Sequence, residues 1–166
     1  MYSFSPRRSN KIALLLTTIF LITGVVFLGT PAVFEGMAFA AISQMIGVIF
    51  FSLALCLITR FFTKSFVYSI REGDDGSLDL LVTEYQGKRG ITVCRISLSG
   101  IEKAVRCTDK ATKKEVDREG RARKIYSYLA DISPTEYIAI FATECGEPLF
   151  IKLAYDERLF EILSSQ

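Results

Sequence analysis

Residues 12–29 (IALLLTTIFLITGVVFLG) and 37–59 (MAFAAISQMIGVIFFSLALCLIT) decide how this chain is built. They run for eighteen and twenty-three residues without a charged side chain. A bilayer core about 30 Å thick is crossed by roughly 20 helical residues, so each stretch is long enough to span it. Lipid offers the backbone no water, and a lone apolar segment must then satisfy its own hydrogen bonds as a helix. Residues 30–36, between the two, contain Pro31 and Gly36, both poor helix formers, and the single charge of Glu35. The sequence therefore predicts a two-helix transmembrane hairpin over residues 12–62, integral to the lipid bilayer.

Flanking cations orient the hairpin, because Lys and Arg close to a span are retained on the cytoplasmic side. Arg7, Arg8 and Lys11 precede the first span, Arg60, Lys64 and Arg71 follow the second, and the connecting loop has none. Residues 1–11 are thus expected to be a cytoplasmic N-terminal tail. Both termini should be cytoplasmic, in a multi-pass protein of the cell (cytoplasmic) membrane. Phe61 and Phe62 fall where the second helix leaves the acyl region, and Arg60 is placed to snorkel to the headgroups. A cleaved signal peptide is the rival reading, since Arg7 and Arg8 resemble an n-region and Ala38-Phe39-Ala40 has the small-x-small pattern. The apolar run exceeds the roughly 7–15 residues of a usual h-region, and the second span would still stop transfer with its cations inside.

Within the hairpin, Gly24, Ser43, Gln44 and Gly47 are the candidates for helix–helix packing: small residues let helices approach, and polar ones seek a partner across the interface. Neither span contains Asp, Glu, Lys or Arg, whereas proton and ion relays usually do.

Residues 65–166 are enough for one small domain with a single core. The four cysteines, Cys56, Cys94, Cys107 and Cys145, are scattered without a CxxC or metal-ligand spacing, so free thiols in a reducing compartment are expected. Histidine is absent from the whole chain, which removes His-containing triads, the common His-bearing zinc sites and an imidazole pH switch.

Phe66, Tyr68 and Ile70 alternate with Val67, Ser69 and Arg71, the period-two pattern of a half-buried strand. Gly73-Asp74-Asp75-Gly76 ends it. Leu78, Leu80 and Val82 alternate again before the turn at residues 86–90. The third run, residues 91–98 (ITVCRISL), changes phase near Cys94, which calls for a bulge or bend. Residues 101–107 read as a fourth strand. From 108 to 124 (TDKATKKEVDREGRARK) charge replaces the apolar signal, predicting a solvated excursion with a turn or two of helix before Gly120. Strand patterning returns at 125–129, 137–142 and 149–154. About seven strands joined mostly by short turns predict an antiparallel meander curling into a barrel or sandwich. Asp156 then suits an N-cap, and Leu159, Phe160, Ile162 and Leu163 make one apolar stripe of a closing helix. The fold class is α+β.

Seven short strands followed by one amphipathic helix resemble the pleckstrin-homology superfold. The attachment resembles small bacterial membrane proteins that carry a pleckstrin-homology-like (PH-like) domain after two spans. The likeness is carried by Ile96-Ser97-Leu98-Ser99-Gly100-Ile101-Glu102-Lys103-Ala104-Val105, similar to the family's I-x-L-x-x-I-x-x-V element, and by residues 149–163. In eukaryotic members, basic residues around the first strand-to-strand loop hold phosphoinositide headgroups. Here that loop is Glu72-Gly73-Asp74-Asp75-Gly76, short and acidic, which argues against such binding there.

From Ser65 onward there are fifteen Lys and Arg against seventeen Asp and Glu. Between positions 103 and 124, however, nine cations (Lys103, Arg106, Lys110, Lys113, Lys114, Arg118, Arg121, Arg123, Lys124) face four anions (Asp109, Glu115, Asp117, Glu119). This segment is the candidate lipid- or partner-binding site, since juxtamembrane cations are attracted to an anionic leaflet. It lacks base-stacking aromatics, so nucleic acid is not an expected partner. No GxxxxGK[ST], GxGxxG or HExxH motif occurs, no cofactor is implied, and no catalytic or metal-ligating residue is assigned. The expected function is a membrane-anchored, non-enzymatic interaction module docking a partner protein or its own copies at the cytoplasmic membrane face. Alternatives are an anionic-lipid-sensing module using the 103–124 segment, and an accessory subunit of a membrane transporter complex in which Gln44 contacts another helix.

Overall fold

The computed structural model describes residues 2–6, 11–29, 37–73, 76–144 and 146–165. Arg7 and Arg8, the 30–36 loop, Asp74, Asp75 and Cys145, all named above, lie outside the described residues. The chain forms two compact units: Ser9–Lys64, and Met1–Arg8 together with Ser65–Gln166.

In the first unit, helix α1 (Lys11–Gly29) and helix α2 (Met37–Ile58) are both long and apolar enough to cross a membrane. A π-helical turn, Thr59–Thr63, ends α2. Thr59 Oγ1 donates back to the carbonyls of Leu55 and Cys56, both at 3.0 Å, satisfying acceptors that the wider turn loosens.

Among the described residues, the second unit holds eight strands in two four-stranded sheets. The first sheet has the order β1-β2-β3-β4, formed by Tyr2–Phe4, Lys64–Glu72, Leu78–Gln86 and Arg89–Ser97. Strand β1 was not expected: Tyr2–Phe4 reads as tail in sequence, yet it pairs antiparallel with β2, Tyr2 opposite Ile70 and Phe4 opposite Tyr68. Three residues are too few for a periodicity signal, and the partner lies across the whole hairpin. The phase change near Cys94 is a bulge: Val82 faces Cys94 and Thr83 faces Thr92, leaving Val93 as the extra residue.

The second sheet has the order β5-β7-β8-β6, from β5 (Ile101–Cys107), β7 (Tyr137–Glu144), β8 (Glu147–Ala154) and β6 (Lys124–Ser127). It is antiparallel except that β6 runs parallel to β8, so the meander expected from turn spacing is interrupted. The cause is helix α3 (Lys110–Gly120), which carries the chain across the sheet between β5 and β6. Where the charged 108–124 segment predicts a mostly solvated excursion, three helical turns form. Asp109 caps them, accepting from the backbone of Ala111 and Thr112 at 3.1 and 3.0 Å.

The two sheets share one core. Phe66, Tyr68, Ile70, Leu80, Val82 and Ile96 meet Ile138, Ile140, Ile151 and Leu153, and Leu159 and Leu163 of helix α4 (Glu157–Ser164) join them. Tyr68 ties the sheets directly: its hydroxyl donates to the Tyr128 carbonyl at 2.7 Å and accepts from the Ala154 N–H at 3.2 Å. Asp156 caps α4 through the Leu159 N–H at 3.0 Å and also accepts from the Tyr2 hydroxyl, which fastens β1 to the C-terminal helix. A second core lies on the other face of the second sheet, where Val116 of α3 packs with Cys107, Tyr137, Ala139, Phe141 and Phe150. Strand β7 is therefore buried on both faces, which accounts for the unbroken apolar run YIAIFA.

Gly120 seats α3. A Cβ there would lie 2.4 Å from Cδ1 of Phe150, a ring that is fully buried and has no room to yield. Gly120→Ala gains helix propensity but overpacks this contact, and overpacking wins: thermal or denaturant unfolding should show a loss of about 1–3 kcal/mol. Unchanged or increased stability would mean that α3 does not rest on Phe150.

Candidate functional site

The nine cations of the 103–124 segment fall into two groups. Five have partners within the fold. Lys103, on β5, reaches Glu119 at 3.4 Å. Arg106 sits 2.7 Å from Glu136, with its guanidinium 4.1 Å over the Tyr155 ring, and Glu136 is the first reason its pKa is raised. Lys113 donates to the carbonyls of Pro134 and Thr135 at 2.9 and 2.6 Å. Arg123 meets Glu102 at 2.8 Å, and Lys124 meets Glu147 at 3.5 Å. Glu102 is the extra residue of a second bulge, in β5 opposite Phe141 and Ala142, and that bulge aims its carboxylate at Arg123 and at the Thr143 hydroxyl. Hydrogen bonds first from Arg123 and then from Thr143 keep the Glu102 carboxyl below its usual range.

The other four, Lys110, Lys114, Arg118 and Arg121, are exposed and have no ion-pair or hydrogen-bonded side-chain partner among the described residues. All lie on α3 or its C-cap, at i, i+4, i+8 and i+11. At 100° per residue they share one face, roughly opposite the side that Val116 and Gly120 bury.

A second feature, absent from the sequence reading, is a groove of about 530 Å3 between the open edges of β4 and β6. Cys94, Tyr126, Tyr128 and Leu149 supply its apolar lining, and Arg95, Lys124, Glu144 and Glu147 its charges. The Tyr126 and Tyr128 rings stack 6.2 Å apart, and the Tyr128 hydroxyl donates to the Val93 carbonyl at 3.3 Å. Large apolar side chains stand exposed on the bordering strands: Ile91 at 69%, Ile125 at 53% and Val93 at 39%. The groove unites residues some thirty to fifty positions apart, so no local motif announces it. Burial pushes the Cys94 thiol up to about 11, and it is protonated at neutral pH. Among the described residues, no group of three or more His, Cys, Asp or Glu is arranged to hold a metal ion.

In the hairpin, Gly24 and Gly47 bring the backbones together: a Cβ on Gly47 would lie 3.1 Å from the Gly24 carbonyl oxygen and 2.8 Å from Leu28 Cγ. The Ser43 hydroxyl donates to the Phe27 carbonyl at 2.7 Å. Gln44 does not join this seam; it is one residue, 100°, around from Ser43 and lies exposed beside Ala41, Met45, Val48 and Ile49. Ala13, Thr17 and Ala54 complete the seam and were missed in the sequence. Their signal was a spacing: buried small residues fall at i, i+4 and i+11 on both helices, 13/17/24 and 43/47/54.

Compared with protein-family models, with curated proteins and with solved structures, the chain matches none.

The Cys94 environment has a pH consequence. A thiol whose folded pKa lies above its unfolded value adds stability that is fully present below the unfolded pKa and is lost as pH climbs through the folded one. From the ordinary value of 9.0 to about 11, stability should fall, and Cys94→Ala should flatten that fall. Unfolding midpoints measured across this range check it, and an identical slope in the variant would remove Cys94 as the cause.

Proposed function

We propose that this chain is a membrane-anchored, non-enzymatic interaction module: a two-pass hairpin holding a cytoplasmic, PH-like β unit that docks a partner protein. Three features support the anchor. Both helices have the length and hydropathy to span, their seam buries little beyond small residues, and side chains such as Leu15, Val25, Met45 and Ile49 face outward. In water that apolar exterior would be a severe liability. Lys11, Arg60 and Lys64 flank the spans on the side that carries the β unit's two chain connections, as retention of cations in the cytoplasm requires. Cleavage after residue 40 would discard strand β1, which pairs with β2, so a retained anchor accords better with the fold than a removed leader.

Two packed sheets closed by a C-terminal helix support the PH-like reading. Strand β1 and helix α3 are additions to the seven-strand pattern, and the parallel pairing of β6 with β8 departs from its meander.

The observation that carries the docking reading is the groove between β4 and β6. Its floor is aromatic and apolar, and its charges are of both signs, the make-up of a protein–protein contact. Arg95 and Lys124 balance Glu144 and Glu147, so the lining offers a polyanion no net attraction, which makes a polypeptide the better occupant. Tethering raises the effective concentration of such a contact without a large interface.

A photo-crosslinking residue at Ile125, in the full chain in its membrane, should give a discrete adduct. That adduct should be absent when the probe is at exposed Lys88 and lost when Tyr126→Ala is added. An adduct at twice the chain's mass identifies a second copy as the partner; no adduct at Ile125, or equal adducts at both positions, overturns the docking reading.

A second reading, an accessory subunit of a membrane transporter complex, draws on Gln44. In lipid an outward-facing amide seeks a partner from another helix.

A further inference from the structure

The stripe Lys110, Lys114, Arg118 and Arg121 is unexplained by the fold. Like charges at i and i+4 destabilise a helix, and cations in its first turn oppose the positive end of the helix dipole. Helix α3 has both arrangements and no acidic residue in its first turn. The helix is held without them, by Asp109 at its N-cap, by Val116 and Gly120 against Phe150, and by Lys113 on the carbonyls of Pro134 and Thr135. Its acids are largely occupied: Asp109 caps, Asp117 pairs with Lys152 at 2.7 Å, and Glu119 pairs with Lys103. Among the described residues that leaves four free cations and one free acid, Glu115, on the helix and its C-cap.

We propose that this stripe docks on the anionic headgroups of the bilayer into which the hairpin is inserted, fixing the orientation of the β unit against the membrane. The inference rests on the anchor reading and is independent of the β4–β6 groove. Charge complementarity selects the occupant. Each cation near an anionic leaflet strengthens attraction roughly fivefold, and four on one helical face engage a plane together. A planar, negatively charged surface suits a straight stripe whose members all point one way. The tether keeps that surface within reach at all times.

The test uses the full chain in nanodiscs of phosphatidylcholine alone or of phosphatidylcholine with phosphatidylglycerol. A water-soluble acylating reagent is applied, and modification of individual lysines is read by mass spectrometry. Lys110 and Lys114 should react at least about threefold more slowly in the anionic discs, while exposed Lys88 reacts equally in both. About 1 M salt, where the Debye length is roughly 3 Å, should abolish the difference. The double variant R118Q/R121Q, which removes no contact of the fold and keeps both reporter lysines, should reduce it. Equal rates in the two discs would overturn the inference and leave the stripe to an acidic protein. Slowing shared by Lys88 would also overturn it, as a general charge effect. Failure of the chain to enter either disc would overturn the anchor reading and this inference together.

Discussion

The pairing of Tyr2–Phe4 with Tyr68–Ile70 is the constraint from which the architecture follows. Two strands that lie side by side in one sheet are separated in sequence by the whole apolar hairpin. The chain must leave the β unit and come back to it, so the excursion crosses any barrier an even number of times. Two helices meet that requirement with the shortest connection, and a single crossing would pull β1 out of its sheet. The same pairing joins the ends of the chain, because the Tyr2 hydroxyl bonds to Asp156, the residue that caps the last helix. Burial first, and then that hydrogen bond, push the Tyr2 hydroxyl pKa above its ordinary value, so it stays a donor through the physiological range.

On the membrane reading proposed above, small residues in the hairpin substitute for a hydrophobic driving force. Lipid is as apolar as leucine, and helices in it associate through close backbone approach and interhelical hydrogen bonds. Gly24 against Gly47, and Ser43 on the Phe27 carbonyl, supply both. The seam can therefore be narrow, and the larger apolar residues are left for the outer face. In the β unit the large side chains turn inward instead, and both faces of β7 are covered.

Elements with a periodicity of their own were legible in the sequence. The two helices, the strands at 64–72, 78–86 and 101–107, the bulge beside Cys94 and the capped C-terminal helix all have local signals within ten to twenty residues. What was illegible depends on partners distant in sequence. Strand β1 is three residues long and is a strand only because β2 offers an edge. For helix α3 a turn or two before Gly120 was expected but its full three turns were not, because Val116 is its lone large apolar side chain; Asp109 followed by good helix formers was the further cue. The basic segment was visible as composition, but composition does not separate Arg106, bonded to Glu136, from Lys114, whose side chain has no ion-pair or hydrogen-bonded partner among the described residues. That distinction exists only once acids from β5, β8 and the loop before β7 are brought alongside.

The open edges of the sandwich bear on how a partner is met. On the first sheet, β1 is short and fastened to α4 through Tyr2, while β4 is left without a strand neighbour on one side. On the second, β6 is the edge that borders the groove, and the other edge, β5, is bent by its bulge at Glu102. A long, flat, unpaired edge invites indiscriminate strand addition. Neither edge is long and flat: β4 is interrupted at Val93, whose carbonyl is already engaged by the Tyr128 hydroxyl, and β6 has only four residues. Continuous pairing along either edge is therefore blocked, whereas the apolar and aromatic side chains between them remain accessible. A partner docked there, as proposed, would be selected by the fit of side chains rather than by backbone pairing. Under the membrane anchoring proposed above, confinement would raise the effective concentration of such a contact, which is what would link the hairpin to the groove.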